Sequence, residues 1–132
     1  MKIIFSKRCL EYSQPGHPES PERVRSTFEH LKDFYEAVEP TPADVADLLL
    51  VHTRDLIDRV SAGNFYDGDS PAYPHLAFYA RLSAGAALMA LKLALEGTAS
   101  ISLMRPPGHH AGKKCLLCCG YLNNVATSST KS

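Results

Sequence analysis

Two adjacent histidines, His109 and His110, lie in the stretch Arg105-Pro106-Pro107-Gly108-His109-His110-Ala111-Gly112. Imidazole titrates near working pH, so a pair of this kind can act as acid and base. The two prolines restrict the backbone, and Gly108 permits a close or a left-handed turn. A stiff surface turn carrying solvated histidines has the same composition, and residue types alone leave both readings open. Just downstream, Cys115-Leu116-Leu117-Cys118 is followed directly by Cys119. Thiolates beside imidazoles can hold a structural zinc, a C-x-x-C can be a redox pair, and buried or merely reactive thiols need do neither. A single C-x-x-C is weak support for zinc, because such sites usually show two pairs at definite spacing.

Charge narrows the chemistry. Residues 1–96 carry 10 Lys/Arg against 14 Asp/Glu, whereas residues 97–132 carry Arg105, Lys113, Lys114 and Lys131 with no carboxylate. Neither a carboxylate metal ligand nor an acid that orients the two histidines is expected from that segment.

The elements that must position these residues alternate strand and helix. Residues 3–5 (Ile-Ile-Phe) read as a short buried strand. A helix follows, with Ser20 suited to cap it, Pro21 to its first position and Glu22 to its dipole, and with Val24, Phe28, Leu31 and Tyr35 on its apolar face. Thr41-Pro42-Ala43-Asp44 repeats the start signal before Val45, Leu48 and Leu49. A further helix is expected over 53–62 with Leu56, Ile57 and Val60 inward and Gly63 as its stop, then a surface loop over 64–73. Residues 76–96 give the strongest helical pattern, with Arg81, Lys92 and Glu96 on one narrow stripe and the rest of the circumference expected to be buried. Residues 99–103 form a strand that leads into the histidine loop. Strand, helices, strand, loop is the order of an α/β fold with a parallel sheet, whose sites form beyond the carboxyl ends of strands.

The composition is that of a globular domain, with 45% apolar residues, 21% charged residues and zero net charge. That balance argues against a nucleic-acid partner. No run reaches about 18 consecutive apolar residues, so no membrane partner is expected. Residues 1–5 are too short for the centre of a signal peptide, and a cytoplasmic address is the default.

With these residues in view, the sequence resembles the histone deacetylase family, in the form found in its class II and prokaryotic members, among them acetoin-utilisation-type proteins and acetylpolyamine amidohydrolases. The carriers are residues 105–112, Tyr121-Leu122-Asn123-Asn124-Val125-Ala126, Gly16-His17-Pro18-Glu19-Ser20-Pro21-Glu22-Arg23, and Asp69-Ser70-Pro71 with Leu82-Ser83-Ala84-Gly85. They occur in the family's order and cover nearly the whole chain. The resemblance implies the N-terminal part of the three-layer α/β arginase/deacetylase fold, a partial deacetylase domain over 1–132, and an acetylated lysine-type or polyamine substrate. By position it makes His110 the general base and His109 its electrostatic support and proton donor to the departing amine. Asp69 matches a rim residue that grips the substrate backbone, and Arg23 an arginine of an internal channel. Without the resemblance, Asp69 reads equally as a turn residue and Arg23 as an exposed or salt-bridged helix residue. Where this chain has Cys118-Cys119-Gly120 the family has Gly-Phe-Cys, so Cys119 stands where an aromatic ring walls the substrate tunnel. The family's zinc is held by a later Asp-x-His segment and a further Asp, so no metal is expected to be held by residues 1–132. A partial sheet should also leave apolar surface near 99–103 and a tendency to self-associate.

Overall fold

The computed structural model describes residues 1–131. Strand β1 (Lys2–Ile4) is central, with β2 (Glu36–Val38) on one side and β3 (Ser100–Ser102) on the other, all parallel. Ile3 pairs in register with Ala37 and with Ile101. A central parallel strand is covered on both faces, which is why Ile3 and Ile4 are both wholly buried. Ile3 and Phe5 face Val24, Phe28 and Leu31 of α1 (Glu22–Leu31), with the Phe5 and Phe28 rings stacked 4.0 Å apart. Helix α4 (Leu76–Leu95) packs against β1 and β3. Two short helices, α2 (Val45–Leu48) and α3 (Arg54–Ala62), join α4 in a second core around Leu48, Leu56, Ile57, Val60 and Ala84. The α/β class and the parallel pairing of the first and last strands are as expected. So are the inward residues of α3, its Thr53 cap on the Leu56 N–H and its left-handed Gly63 stop.

Several local expectations fail for physical reasons. Helix α1 stops at Leu31 and the chain turns into β2, a strand that the charged sequence conceals, leaving Tyr35 exposed rather than on an apolar face. Ser20 makes no side-chain cap; its carbonyl accepts from the Arg23 N–H instead. Helix α2 is a single turn, so Leu49 falls on its exposed side. Burial of α4 is confined to its first half, and Leu95 is 76% exposed. Its length and mean hydropathy of 1.3 would suit a membrane span, yet that first half lies in the protein core. The polar residues 127–131 belong to a further helix, α5 (Asn124–Lys131), which no apolar period announces. The Asn123 Oδ1 accepts from the Ala126 N–H at 2.9 Å and caps this helix. The buried Thr127 hydroxyl bonds the Asn123 carbonyl, and α5 lies against α4.

At Gly85 of α4 a Cβ would stand 1.8 Å from the Thr41 carbonyl oxygen, because the segment after β2 crosses the helix there. We expect Gly85→Ala to cost at least about 3 kcal/mol in urea denaturation, since the contact is with backbone that cannot rotate away. A loss under about 1 kcal/mol would show that the crossing segment is not packed as described.

Candidate active site

The sheet order β2-β1-β3 means that the chain leaves β1 to one side and returns on the other, so the crevice at the carboxyl ends of β1 and β3 is the topological switch point. The loops that follow these two strands are those carrying Glu19 and His109–His110. Arg105, just past β3, is 1% exposed and joins them. Its Nε donates to Glu19 Oε1 at 3.0 Å and its Nη2 to Glu19 Oε2 at 2.5 Å. Nη1 donates to the carbonyls of Cys9 and Tyr12 at 2.7 and 2.8 Å, and the guanidinium lies 3.9 Å above the Tyr12 ring. Burial alone would lower the guanidinium pKa, but the Glu19 hydrogen bonds and the neighbouring Tyr12 and Glu19 outweigh it and hold the group charged. Burial pushes the Cys9 thiol up to about 11, so it packs as a neutral side chain.

Gly108 then passes directly under the next loop. A Cβ there would lie 2.0 Å from the Leu122 carbonyl oxygen, so its role is close approach, without the positive φ that the sequence also allowed. Ser83 of α4 donates to the Pro106 carbonyl and accepts from the Asn124 amide, tying helix to loop. Past this point both imidazoles are exposed, with ring centroids 4.2 Å apart. Among the described residues no side chain hydrogen-bonds either ring. They border an open cavity of about 480 Å³ together with Arg23, Glu19, Cys118 and Cys119.

Of the residues singled out from the sequence, His109, His110, Arg23 and Cys119 therefore share one cavity. Arg23 sits exposed on the first turn of α1. Asp69 is exposed at the edge of this group, and its backbone rather than its carboxylate makes the contacts. Its carbonyl accepts from the Cys119 thiol at 2.8 Å and faces His17 Nε2 at 3.1 Å. The Cys119 N–H donates to Ser70 Oγ, which closes the rim. Burial, followed by the carboxylates of Glu19 and Asp69, raises the Cys119 pKa, so this sulfur remains a thiol. Cys118 and Cys119 occupy a two-residue turn between Leu117 and Gly120 with φ of 50° and 64°. Glycine and asparagine normally take such positions, so the turn is strained. Cys118 and Cys119 line the histidine cavity, yet among the described residues no group of three or more His, Cys, Asp or Glu side chains could hold a metal ion.

Two residues that govern the site gave no sequence signal by themselves. Arg105 was visible only as the first letter of its motif. His52, at the end of the turn after α2, is 2% exposed. Its Nδ1 lies 2.8 Å from the Gly112 carbonyl and its Nε2 accepts from the Asn123 N–H at 2.8 Å, so it is neutral and carries its proton on Nδ1. It thereby fixes both ends of the segment that runs from the histidine pair to Tyr121, whose hydroxyl donates to the Pro71 carbonyl at 2.7 Å.

The match to the histone deacetylase domain spans residues 17–129. The chain belongs to the histone deacetylase family. A probable deacetylase of Methanothermobacter thermautotrophicus is 33% identical over 134 residues, covering 96% of this chain and 40% of that protein. The histone deacetylase-like amidohydrolase of Pseudomonas aeruginosa is 39% identical over 107 residues, covering 72% of this chain and 28% of its own. Among solved structures, the HDA15 HD domain superposes with a TM-score of 0.85 at 26% identity, over 97% of this chain and 41% of that one. The chain thus spans 28–41% of the length of these three relatives. The described residues lack a ligand set for the zinc that the family resemblance implies, so they do not fit that metal by themselves.

Glu19→Ala would leave Arg105 buried and uncompensated, and we expect a loss of about 3–5 kcal/mol by chemical denaturation. Retention of near wild-type stability would show that the pair is dispensable. The His52 pKa is lowered by burial, against the weaker opposing effect of its backbone partners. The unfolded chain therefore binds the proton more readily. Stability from this residue is complete above the unfolded value of about 6.5 and is lost as pH falls below it. The urea midpoint should drop between about pH 7.5 and 5.5, and His52→Ala should flatten that slope. Parallel slopes in the two proteins would refute the assignment.

Proposed function

We propose that this chain supplies the acid–base half of a zinc-dependent deacetylase that hydrolyses an acetylated lysine-type or polyamine amine in the cytoplasm. The observation that carries the reading is the His109–His110 pair facing an open cavity at the carboxyl end of β3, within a family match that spans most of the chain. In this reading His110 takes a proton from the attacking water. Hydroxide adds to the acetamide carbonyl, the C–N bond breaks, and the pair returns a proton to the departing amine, leaving acetate. His109, 4.2 Å from its neighbour, steadies the charge that His110 acquires and delivers the proton on the amine side. Arg105 and Glu19 act only on position, holding the loop from below.

The cavity wall at Cys119 has no aromatic ring, and the sulfur is drawn toward the Asp69 carbonyl. The substrate side chain would therefore meet a wider entrance than an aromatic tunnel provides. Proton transfer by positioned histidines contributes roughly 10²–10⁴-fold, well short of the barrier of amide hydrolysis. No residue among 1–131 is assigned to polarise the carbonyl, since the described residues hold no metal-ligand set.

Purified residues 1–132 with zinc added should give no detectable release of acetate from an acetyl-lysine peptide or an acetylpolyamine. Joining them to the remaining C-terminal part of the Methanothermobacter relative should give turnover, and His110→Ala in that protein should lower kcat by about 10³-fold. Zinc-dependent turnover by residues 1–132 alone, or an unaffected His110→Ala protein, would overturn the reading.

A further inference from the structure

We infer that His52 is a positioning residue for the loop that carries the His109–His110 pair, and that it works only while its ring is neutral, so that acid loosens this loop and α5 before the sheet. The inference rests on the acid–base role proposed for the pair. Its test reads the loop directly and needs no turnover, so the two readings fail separately.

The two carbonyls that follow His110 are held from one place. His52 Nδ1 donates to the Gly112 carbonyl at 2.8 Å, and the Asn123 side-chain amide donates to the Ala111 carbonyl at 2.9 Å. Asn123 is fixed in turn by its backbone N–H, which donates to His52 Nε2 at 2.8 Å. The same residue starts α5. Its Oδ1 accepts from the Ala126 N–H, and its carbonyl accepts from the Thr127 N–H and hydroxyl. One buried imidazole therefore clasps the histidine loop to the helix that follows it.

This clasp admits one protonation state. A neutral imidazole has one N–H and one bare nitrogen, as a carbonyl on one side and an amide N–H on the other require. A second ring N–H would face the Asn123 N–H, donor against donor, inside the protein. Taking up a proton thus requires the Asn123 bond to break. Of the charged groups on the elements around the ring, Asp47 of α2 is paired with Lys131 of α5, and Arg59 of α3 with Asp55 and the Lys114 carbonyl. Asp44, Arg54, Asp58, Lys113 and Lys114 are exposed. Burial lowers the ring's proton affinity, against the weaker pull of the Gly112 and Lys113 backbone. The clasp is therefore complete above about pH 6.5 and weakens as pH falls below that value, where the opened ring binds the proton and the closed one does not.

The test is ring-nitrogen NMR and amide exchange on the 132-residue chain between pH 7.5 and 5.5. At pH 7.5 His52 should carry its proton on Nδ1 alone. By pH 5.5 the protection factors of Ala111, Gly112, Asn123 and Ala126 should fall about tenfold, and throughout they should lie at least about tenfold below those of Ile3 and Ile4. His52→Gln keeps a neutral acceptor for the Asn123 N–H that binds no proton, so its loop protection should change less than about twofold over the same range. An equal fall in His52→Gln, or no fall in the wild type, would overturn the inference. Should His52→Gln not fold, the wild type still decides: a proton on His52 Nε2 at pH 7.5, or loop protection equal to that of Ile3 and Ile4, would overturn it as well.

Discussion

The buried Arg105–Glu19 pair is the contact on which the rest of this molecule is organised. Its partners are 86 residues apart in sequence, one in the loop after β1 and the other in the loop after β3. A guanidinium removed from water must satisfy every N–H and balance its charge. Arg105 does so with one carboxylate and with the carbonyls of Cys9, Tyr12 and Glu19. Cys9, Tyr12 and Glu19 are thereby held around one guanidinium, which lies 3.9 Å from the Tyr12 ring centroid. The histidine pair begins only four residues later, so its position is inherited from this anchor rather than from contacts of its own.

A second tier of polar contacts converts the anchored loop into a cavity. His52, Asn123 and Ser83 each bond backbone carbonyls or amides of the segment 106–123. Gly108 lets that segment pass within contact of the Leu122 carbonyl. Two exposed imidazoles thus stand on a base that is almost wholly buried, which combines rigid placement with open access. At the rim the rigidity is maintained under strain: Cys118 and Cys119 adopt positive φ, and Cys119 is held there by bonds to Ser70 and Asp69. A glycine at position 118, which the family resemblance implies, would take such a φ without cost.

The sequence by itself determined the α/β class, the helices read over 53–62 and 76–96 and found at 54–62 and 76–95, the parallel relation of the first and last strands and the family motif of the histidine loop. Hydrophobic period, caps and a run of family motifs are local signals, and they survive without knowledge of neighbours. Tertiary structure alone decided which of those motifs meet. Glu19 and Arg105 sat in two motifs with nothing local to say that they meet, and His52 stood outside every motif. Strand β2 was concealed because an edge strand of three residues with one half-buried side chain leaves no alternation to read. Helix α5 was concealed because its stability comes from Asn123 and from α4 rather than from the propensity of Ser and Thr. Half of α4 lies outside the core for the same reason: burial depends on which neighbours arrive, and a period of 3.6 residues names the face but not the length that will be covered.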